Sequence, residues 1–276
     1  MKLRKVTAAS AVVLALAVSV TACGGDKKDD ASGGKKIKIG IKFDQPGLGL
    51  QEPDGSYSGF DVDVATYVAK KLGYQPNQIE WVQTKSADRE NALKHGDVKF
   101  IAATYSITDE RKQKVDFAGP YLLAHQDLLV KKGSKITKGT DLNSKKLCSV
   151  TGSTSAQNVQ KTIAPKANLR PLSGYSECVA GLQSGAVDAL TTDDSILAGF
   201  AAQAKYKGQF QLVGLKLSNE NYGIGVKKGD SATVDKINKA LEQMVADKSW
   251  DKAVEKNFGP AHYKNEPAPK IGDIVK

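Results

Sequence analysis

The sequence predicts an α/β fold of two lobes, and three observations lead to that prediction. Strand and helix patterns alternate twice, over residues 38–114 and again over residues 146–213. A short motif recurs after each alternation, at residues 129–133 and 225–229. The chain beyond residue 36 holds about 240 residues, enough for one large core or two smaller ones.

The first alternation opens with a predicted strand at residues 38–42 and a predicted helix at residues 61–72. Apolar residues recur through this helix at helical spacing, Asp61 can cap its start, and Gly73 ends it. The elements that follow are a strand at 79–82, a helix at 86–94, a strand at 100–104 and a helical turn at 109–114. This order predicts a mainly parallel sheet covered by helices.

The second alternation has the same character and predicts a second α/β lobe. Its predicted strands lie at 146–150, 169–171, 189–191 and 209–213, and its predicted helices at 155–163, 176–184 and 194–204. Two more helices are predicted at 232–247 and 250–258.

The recurring motif predicts two strands that cross between the lobes. Its copies are Leu129–Gly133 and Gly225–Gly229, and each follows an apolar run of strand character, at 126–130 and 222–226. Lobe 1 would then comprise residues 37–128 and 224–276, and lobe 2 residues 129–223. A chance similarity of five residues is the alternative.

The N-terminus has the layout of a secretory signal. Lys2, Arg4 and Lys5 precede an uncharged, apolar stretch that ends at Ala22 and is short for a membrane span. The sequence around Cys23 resembles the bacterial lipobox. That resemblance implies a signal peptide at 1–22, a lipid on Cys23 and a flexible, lipidated tether at 23–36. We therefore expect the protein to be anchored to the cell membrane by lipid, facing outward; a soluble secreted protein is the alternative.

The net charge and the cysteine content limit the kinds of partner and of covalent bond that we expect. The net charge is +10, but the lysines occur as scattered pairs without interleaved aromatic residues. Export also separates the protein from nucleic acid, so we expect a solvated surface and no nucleic-acid partner.

With Cys23 lipidated, Cys148 and Cys178 form an even pair in an oxidising compartment. A disulfide between them is the prediction, and two buried free thiols are the alternative.

Motifs for catalysis and for cofactor binding are missing from the sequence. Its three histidines are far apart, and it has no P-loop and no nucleophile elbow. We therefore expect neither an enzyme nor a metal or cofactor site.

The segment from Ala102 to Arg111 carries the first candidate site residue. A strand ends there in hydroxyl residues, and Thr108 is a suitable cap for the helix that follows. Arg111 is a cation in the first turn, where the helix dipole disfavours it. It can instead hold a carboxylate at the carboxyl end of a parallel strand, or it can pair in solvent with Asp109 or Glu110.

Several motifs together resemble the polar amino-acid-binding proteins of ABC transporters. They are Gly59-Phe60-Asp61-Val62-Asp63-Val64-Ala65, Ser106-Ile107-Thr108-Asp109-Glu110-Arg111, Val115-Asp116-Phe117 and Pro120-Tyr121, and the opening Lys42-Phe43-Asp44-Gln45-Pro46-Gly47 resembles the glutamate-binding branch. The resemblance covers nearly all of residues 37–258. It implies a periplasmic-binding-protein-like fold of type II, in which two lobes close about hinge strands on a ligand in the cleft.

The resemblance also implies ligand contacts. Arg111 matches the residue that holds the α-carboxylate, Thr104 the carbonyl that accepts from the α-amine, and Ser106 a hydroxyl or backbone contact. In lobe 2, Thr154 and Ser155 match anion contacts, although Thr151 stands where some relatives carry lysine. Asp193 matches the partner of the α-ammonium; a helix cap is its alternative role.

The choice of ligand depends on a second segment. The side-chain carboxylate of glutamate, here called the distal carboxylate, needs a hydrogen-bond donor once it is desolvated. Residues 85–89 resemble the segment that holds this group in aspartate and glutamate binders, so Arg89 and Ser86 are predicted contacts; an exposed Arg89 paired with Asp88 or Glu90 is the alternative. Asp44 would repel glutamate and suit glutamine, unless it orients an arginine or contacts the α-ammonium.

The expected function is therefore that of a monomeric receptor that binds glutamate, with aspartate and glutamine as alternatives, and delivers it to an ABC transporter permease. A cyclohexadienyl dehydratase-like enzyme and a sensor domain are the runners-up.

Overall fold

The computed structural model describes residues 34–276. The predicted signal peptide, Cys23 and most of the tether lie outside the described residues. Among residues 34–276, no helix combines the length and apolar character that crossing a membrane requires.

The first half of the chain builds a parallel sheet. Its strands are β1 (Ile37–Ile41), β5 (Ile79–Gln83) and β6 (Phe100–Ile101), with β1 in the middle and parallel to both neighbours. Three short antiparallel strands form a separate sheet: β2 (Asp44–Gln45), β3 (Gly49–Gln51) and β4 (Tyr57–Ser58). Helices α1 (Phe60–Lys71), α2 (Arg89–His95) and α3 (Asp109–Lys112) connect these strands.

The middle of the chain builds a second sheet, in which three strands run parallel to one another. Its strands are β8 (Lys146–Val150), β9 (Asn168–Leu172) and β10 (Ala189–Asp193), all parallel, and the short antiparallel β11 (Phe210–Leu212). The connecting helices are α4 (Thr154–Asn158), which continues as a π turn over Val159–Ile163, α5 (Tyr175–Ser184) and α6 (Asp194–Ala202). The alternation therefore yields two α/β lobes, as the sequence predicts.

Two long strands join the lobes. They are β7 (Val115–Lys131) and β12 (Asn219–Lys227), which pair antiparallel from Val115 with Lys227 to His125 with Asn219. Through this pair the two sheets merge into one path, β5-β1-β6-β12-β7-β10-β8-β9.

The first crossing lies earlier than its apolar run suggested. Residues 126–130 pair with β10 and therefore already belong to the sheet of lobe 2, whereas the stretch that spans the lobes, 115–125, contains polar residues and Pro120 that hide its strand character. The predicted lobe boundary at 128 stays a prediction, with residues 126–128 placed on the lobe 2 side by this pairing.

Lobe 1 is completed by the C-terminal helices α7 (Ser231–Ala246) and α8 (Ser249–Phe258). The ring of Phe60 lies 5.9 Å from Trp250 and 5.1 Å from Phe258, and Trp250 Nε1 donates to the carbonyl of Tyr121 at 2.8 Å. The hydrogen bond therefore holds α8 against β7, the first crossing strand.

The start of α1 differs from its prediction, because Asp61 does not cap it. Gly59 is the capping position, and the N–H groups of Phe60 and Asp61 donate to the carbonyls of Gly47 and Leu48. A Cβ on Gly59 would lie 2.1 Å from the Leu48 oxygen, so the close approach requires glycine. Loop carbonyls therefore accept from the first N–H groups of this helix, and the Asp61 carboxylate is not needed as a cap.

The predicted disulfide is present in the structure. Cys148 in β8 is bonded to Cys178 in α5, with 5.6 Å between their Cα atoms. Both residues are fully buried, so the bond ties a helix to the sheet of lobe 2 from inside its core.

We expect replacement of Cys148 and Cys178 by alanine to lower the free energy of unfolding by about 3–4 kcal/mol, because a closed loop of this length restricts the unfolded chain. Denaturant unfolding of both proteins, with and without reductant, measures the change. Reductant should shift wild type and leave the variant unaffected; equal stability of the two proteins without reductant would contradict the prediction.

Candidate ligand-binding cleft

The predicted site residues converge on the gap between the lobes. Parallel strands of both sheets end there, so the loops after β6, β8 and β10 face one another. The lobes touch across this gap, since Arg111 Nη2 of lobe 1 donates to the carbonyl of Gly152 in lobe 2 at 3.0 Å. A cavity of about 370 Å³ is lined by residues of both lobes, including Ser86, Arg111 and Thr154.

Arg111 points into the cleft rather than into solvent. It is 7 % exposed, and its Nη1 donates to the carbonyl of Ser106 at 2.8 Å. The first turn of α3 is capped by Thr108 Oγ1, which accepts from the Arg111 N–H, as predicted. Asp109 and Glu110 pair with lysines instead of Arg111. Each terminal nitrogen of Arg111 carries a second N–H, so donors are available for a carboxylate.

Arg89 is buried in lobe 1, which rules out an exposed, solvent-paired side chain. It is 2 % exposed, its guanidinium lies 3.9 Å from the ring centre of Tyr105, and its Nη1 donates to the carbonyl of Ala103 at 3.0 Å and that of Thr104 at 3.4 Å. Burial, reinforced by the nearby charge of Arg111, lowers the pKa of Arg89 to about 10. Its Nε has no hydrogen-bond partner within the described residues.

Lys42 is a candidate site residue that sequence reasoning missed. It follows β1 directly, is 5 % exposed, and its Nζ donates to Ser86 Oγ at 2.8 Å. Burial, together with the charges of Arg89 and Arg111, holds the pKa of Lys42 well below its usual value. Its place at the end of a predicted strand gave no local signal of this role, because the contact with Ser86 forms only on folding.

Asp44 lies at the rim of the cleft. Its Oδ2 accepts from the N–H and the hydroxyl of Ser176, at 3.2 Å and 3.1 Å, at the start of α5 in lobe 2. In this arrangement the carboxylate joins the two lobes. It lines, together with Lys42 and Tyr175, a cavity of about 150 Å³.

Thr104 is held in a fixed conformation by Asp61. Its φ of 46° lies in the left-handed region, its N–H donates to Asp61 Oδ2 at 2.9 Å, and Tyr121 donates to Asp61 Oδ1 at 2.6 Å. Burial raises the pKa of Asp61 to about 6, against the opposing effect of these hydrogen bonds. The loop that presents the carbonyls of Thr104 and Ser106 therefore rests on a buried carboxyl.

The wall of lobe 2 is acidic. Asp193 is 4 % exposed and accepts from Tyr222 at 2.5 Å and from Ser155 at 3.5 Å. Thr154 Oγ1 donates to Glu220, a second buried acid, at 3.1 Å. Burial and the charge of Glu220 raise the pKa of Asp193 well above its usual range.

Asp193 does not act as a helix cap through its side chain. It occupies the capping position of α6, but no cap hydrogen bond forms. Asp194 instead accepts from the N–H groups of His125 and Ser195. The Asp193 carboxylate is therefore available to the cleft.

Predicted residues of both lobes lie around the gap, with Ser86, Arg111 and Thr154 on the larger cavity and Asp44 on the smaller one. Buried cations lie on the side of lobe 1, at Lys42, Arg89 and Arg111, and buried acids on the side of lobe 2, at Asp193 and Glu220. Within residues 34–276, no cluster of histidine, cysteine and acidic residues could hold a metal ion. The arrangement suits a small solute with separate negative and positive groups.

Comparison with known proteins agrees with this geometry. The family model for bacterial extracellular solute-binding proteins, family 3, matches residues 37–260. The chain belongs to this family. Family 3 membership makes it a solute-binding protein with an extracellular or periplasmic location.

Individual relatives support the assignment. This family 3 protein is 45 % identical to the glutamate-binding protein GluB of Corynebacterium efficiens, covering 93 % of this chain and 91 % of the relative. It is 38 % identical to the ABC transporter glutamine-binding protein GlnH of Bacillus subtilis, covering 92 % and 97 %. A solved ancestral arginine-binding protein bound to glutamine superimposes with a TM-score of 0.76 at 38 % identity, covering 81 % and 98 %. The predicted two-lobed, type II binding-protein fold is thereby confirmed.

We expect Asp61→Asn to change how stability depends on pH. A carboxyl whose pKa is raised by folding stabilises the fold fully below its unfolded pKa, and this contribution is lost as pH rises through the folded pKa of about 6. From about pH 4 to pH 7 the stability of wild type should therefore fall, relative to the variant, by on the order of 2–3 kcal/mol. Urea unfolding across this range measures the difference; a difference independent of pH would contradict it.

Proposed function

We propose that this protein captures an amino acid, with glutamate preferred, and delivers it to the permease of an ABC transporter. The observation that carries the proposal is the charge distribution across the cleft, with buried cations on one wall and buried acids on the other. Burying charges of one sign together is unfavourable unless an opposite charge joins them. A ligand with two carboxylates and one ammonium supplies what each wall lacks.

The amino-acid backbone of the ligand would lie between Arg111 and Asp193. Arg111 would hold the α-carboxylate with the N–H groups that Ser106 and Gly152 leave free. Asp193 and the carbonyl of Thr104 would accept from the α-ammonium, and Thr154 and Ser155 would add polar contacts from lobe 2. These assignments follow the sequence resemblance, and the contact of Arg111 with Gly152 and that of Ser155 with Asp193 support them.

The distal carboxylate would lie near Lys42, Ser86 and Arg89. Lys42 and Ser86 are in contact, and Arg89 keeps a buried N–H without a partner in the described part of the chain. Lys42 adds a second cation to the one that the sequence suggested. A neutral amide would gain less from these charges than a carboxylate, so we propose a preference for glutamate over glutamine. The name of the GluB relative points the same way.

We further propose that the chain is a lipid-anchored monomer without enzymatic activity. Both curated relatives described above are named as binding proteins, and the lipobox-like sequence at Cys23 motivates the anchor. The alternative of a dehydratase-like enzyme predicts turnover of a prephenate-like acid, which a product assay measures directly.

Calorimetry against the common amino acids tests the ligand. We expect glutamate to bind more tightly than glutamine. Arg111→Ala should abolish binding of both, because losing one partner of a buried charge pair costs about 2–5 kcal/mol. Lys42→Met should weaken glutamate by about 1.5–3 kcal/mol and glutamine by less.

Arg170→Ala and Lys94→Met, at exposed sites away from the cleft, are the matched controls and should bind like wild type. Equal weakening of both ligands by Lys42→Met would remove Lys42 from the distal pocket. Wild-type preference for glutamine would refute the glutamate assignment.

The anchor has its own test. We expect wild type to sediment with membranes of the producing cells and Cys23→Ala to appear in the soluble exported fraction, because the variant lacks the sulfur that would carry lipid. Arg170→Ala serves again as control. Unchanged membrane attachment of Cys23→Ala would contradict the lipid anchor.

A further inference from the structure

The last residues of the chain, 263–276, run along the crossing strands and are here called the C-terminal strap. Asn221 of β12 exchanges two hydrogen bonds with the backbone of Val275, at 2.9 Å and 3.1 Å. Asn219 of β12 donates to the carbonyl of Lys276 at 2.8 Å. These side-chain hydrogen bonds fix the end of the strap to β12.

The strap also binds β7, the other crossing strand. The N–H of Gly272 donates to the carbonyl of Gly119 at 3.0 Å. Glu266 Oε1 lies 3.0 Å from Nε2 of His125, which is itself hydrogen-bonded to Asn219 across the strand pair. One segment thus spans both strands that connect the lobes.

Each lobe contributes contacts of its own. On the side of lobe 2, Tyr263 donates to Asp194 at 2.8 Å, and Lys216 pairs with Glu266 at 2.9 Å. On the side of lobe 1, Ala268 and Ile271 line an apolar groove with residues of α7 and α8. The strap therefore touches both bodies as well as the strands between them.

The strap lies on the face of the hinge opposite to the cleft. Side chains alternate between the two faces of a strand. On β12, Glu220 and Tyr222 reach Thr154 and Asp193 at the cleft. The alternate residues, Asn219 and Asn221, reach the strap. A rotation that opened the cleft would therefore move the opposite sides of the two lobes toward the strap.

We infer that the C-terminal strap favours the closed arrangement of the lobes and so raises the affinity for the ligand. The strap makes its contacts in a structure whose lobes touch through Arg111 and Gly152. Rotation of the lobes about β7 and β12 would compress the segment or break its bonds on one side. This inference rests on the proposed function, because it concerns the closure that accompanies ligand capture.

The inference predicts a particular pattern of affinities. A change in the fraction of closed protein multiplies the apparent dissociation constants of all ligands by the same factor. We expect removal of residues 265–276 to weaken glutamate and glutamine equally, by about fivefold or more. Glu266→Ala, which releases His125 and Lys216, should have a smaller effect in the same direction, and Lys264→Ala, an exposed residue on the strap, should have none.

The experiment compares the full-length protein and these variants by calorimetry with L-glutamate and L-glutamine, and by small-angle scattering without ligand. Scattering should show a larger radius of gyration for the truncated protein. If the truncated chain is folded and binds with wild-type affinity, the inference is overturned. If the truncated chain does not fold, the Glu266→Ala variant provides the test. Wild-type affinity in that variant overturns the inference.

A failure of the proposed function gives a different result. If wild type binds neither amino acid, the ligand assignment fails. Scattering of the unliganded proteins still tests whether the strap favours the closed arrangement. Identical radii of gyration for the wild-type and truncated proteins would then overturn the inference.

Discussion

The antiparallel pairing of β7 with β12 is the constraint on which the rest of the structure depends. Because β12 pairs with β6 of lobe 1 and β7 pairs with β10 of lobe 2, the loops at the carboxyl ends of the parallel strands face one another across the crossing. Arg111 precedes β7, and Glu220 and Tyr222 lie on β12 itself. The hinge therefore positions part of the site, and a change at the crossing alters both the geometry of the cleft and the freedom of the lobes.

Charge separation gives the cleft its chemistry. Burial and the charges of Arg89 and Arg111 lower the pKa of Lys42, and burial and the charge of Arg111 lower the pKa of Arg89. Across the gap, burial and the charge of Glu220 raise the pKa of Asp193. On the lobe 1 side, Glu90 lies 3.8 Å from Arg111 Nε and offsets part of this positive charge, while Asp61 is engaged by Thr104 and Tyr121. A ligand that bridges the walls would relieve both at once, which couples binding to closure.

Much of the fold was predictable because its signals are local. Hydrophobic periodicity located the helices, and the repeated strand and helix order indicated two lobes. The prediction that Asp61 caps α1 was wrong, because carbonyls of the Gly47–Leu48 loop accept from the first N–H groups instead. No local sequence pattern shows such a contact. Residues 263–276 carry no periodic pattern, so their course along the hinge could not be predicted.

A candidate site residue could be recognised from the sequence where it violated a local rule. Arg111 opposes the dipole of its own helix, which marks it for another role. Lys42 violates no helix rule, and its importance arises only when folding brings Ser86 and Arg89 beside it. Asp44 was expected near the pocket from its position in the chain, but its hydrogen bond to Ser176 depends on how the lobes meet.

Buried polar groups in this molecule fall into two kinds, and the difference separates scaffold from site. The carboxylate of Asp127 is buried, but it accepts from the N–H groups of Gly214 and Leu215, so its role is complete within lobe 2. Arg89 and Lys42 are buried beside like charges, and Arg89 keeps a donor without an acceptor in the described residues. Burial of this second kind is unfavourable in the isolated protein. Its presence at the cleft is the physical reason to expect a ligand that brings negative charge.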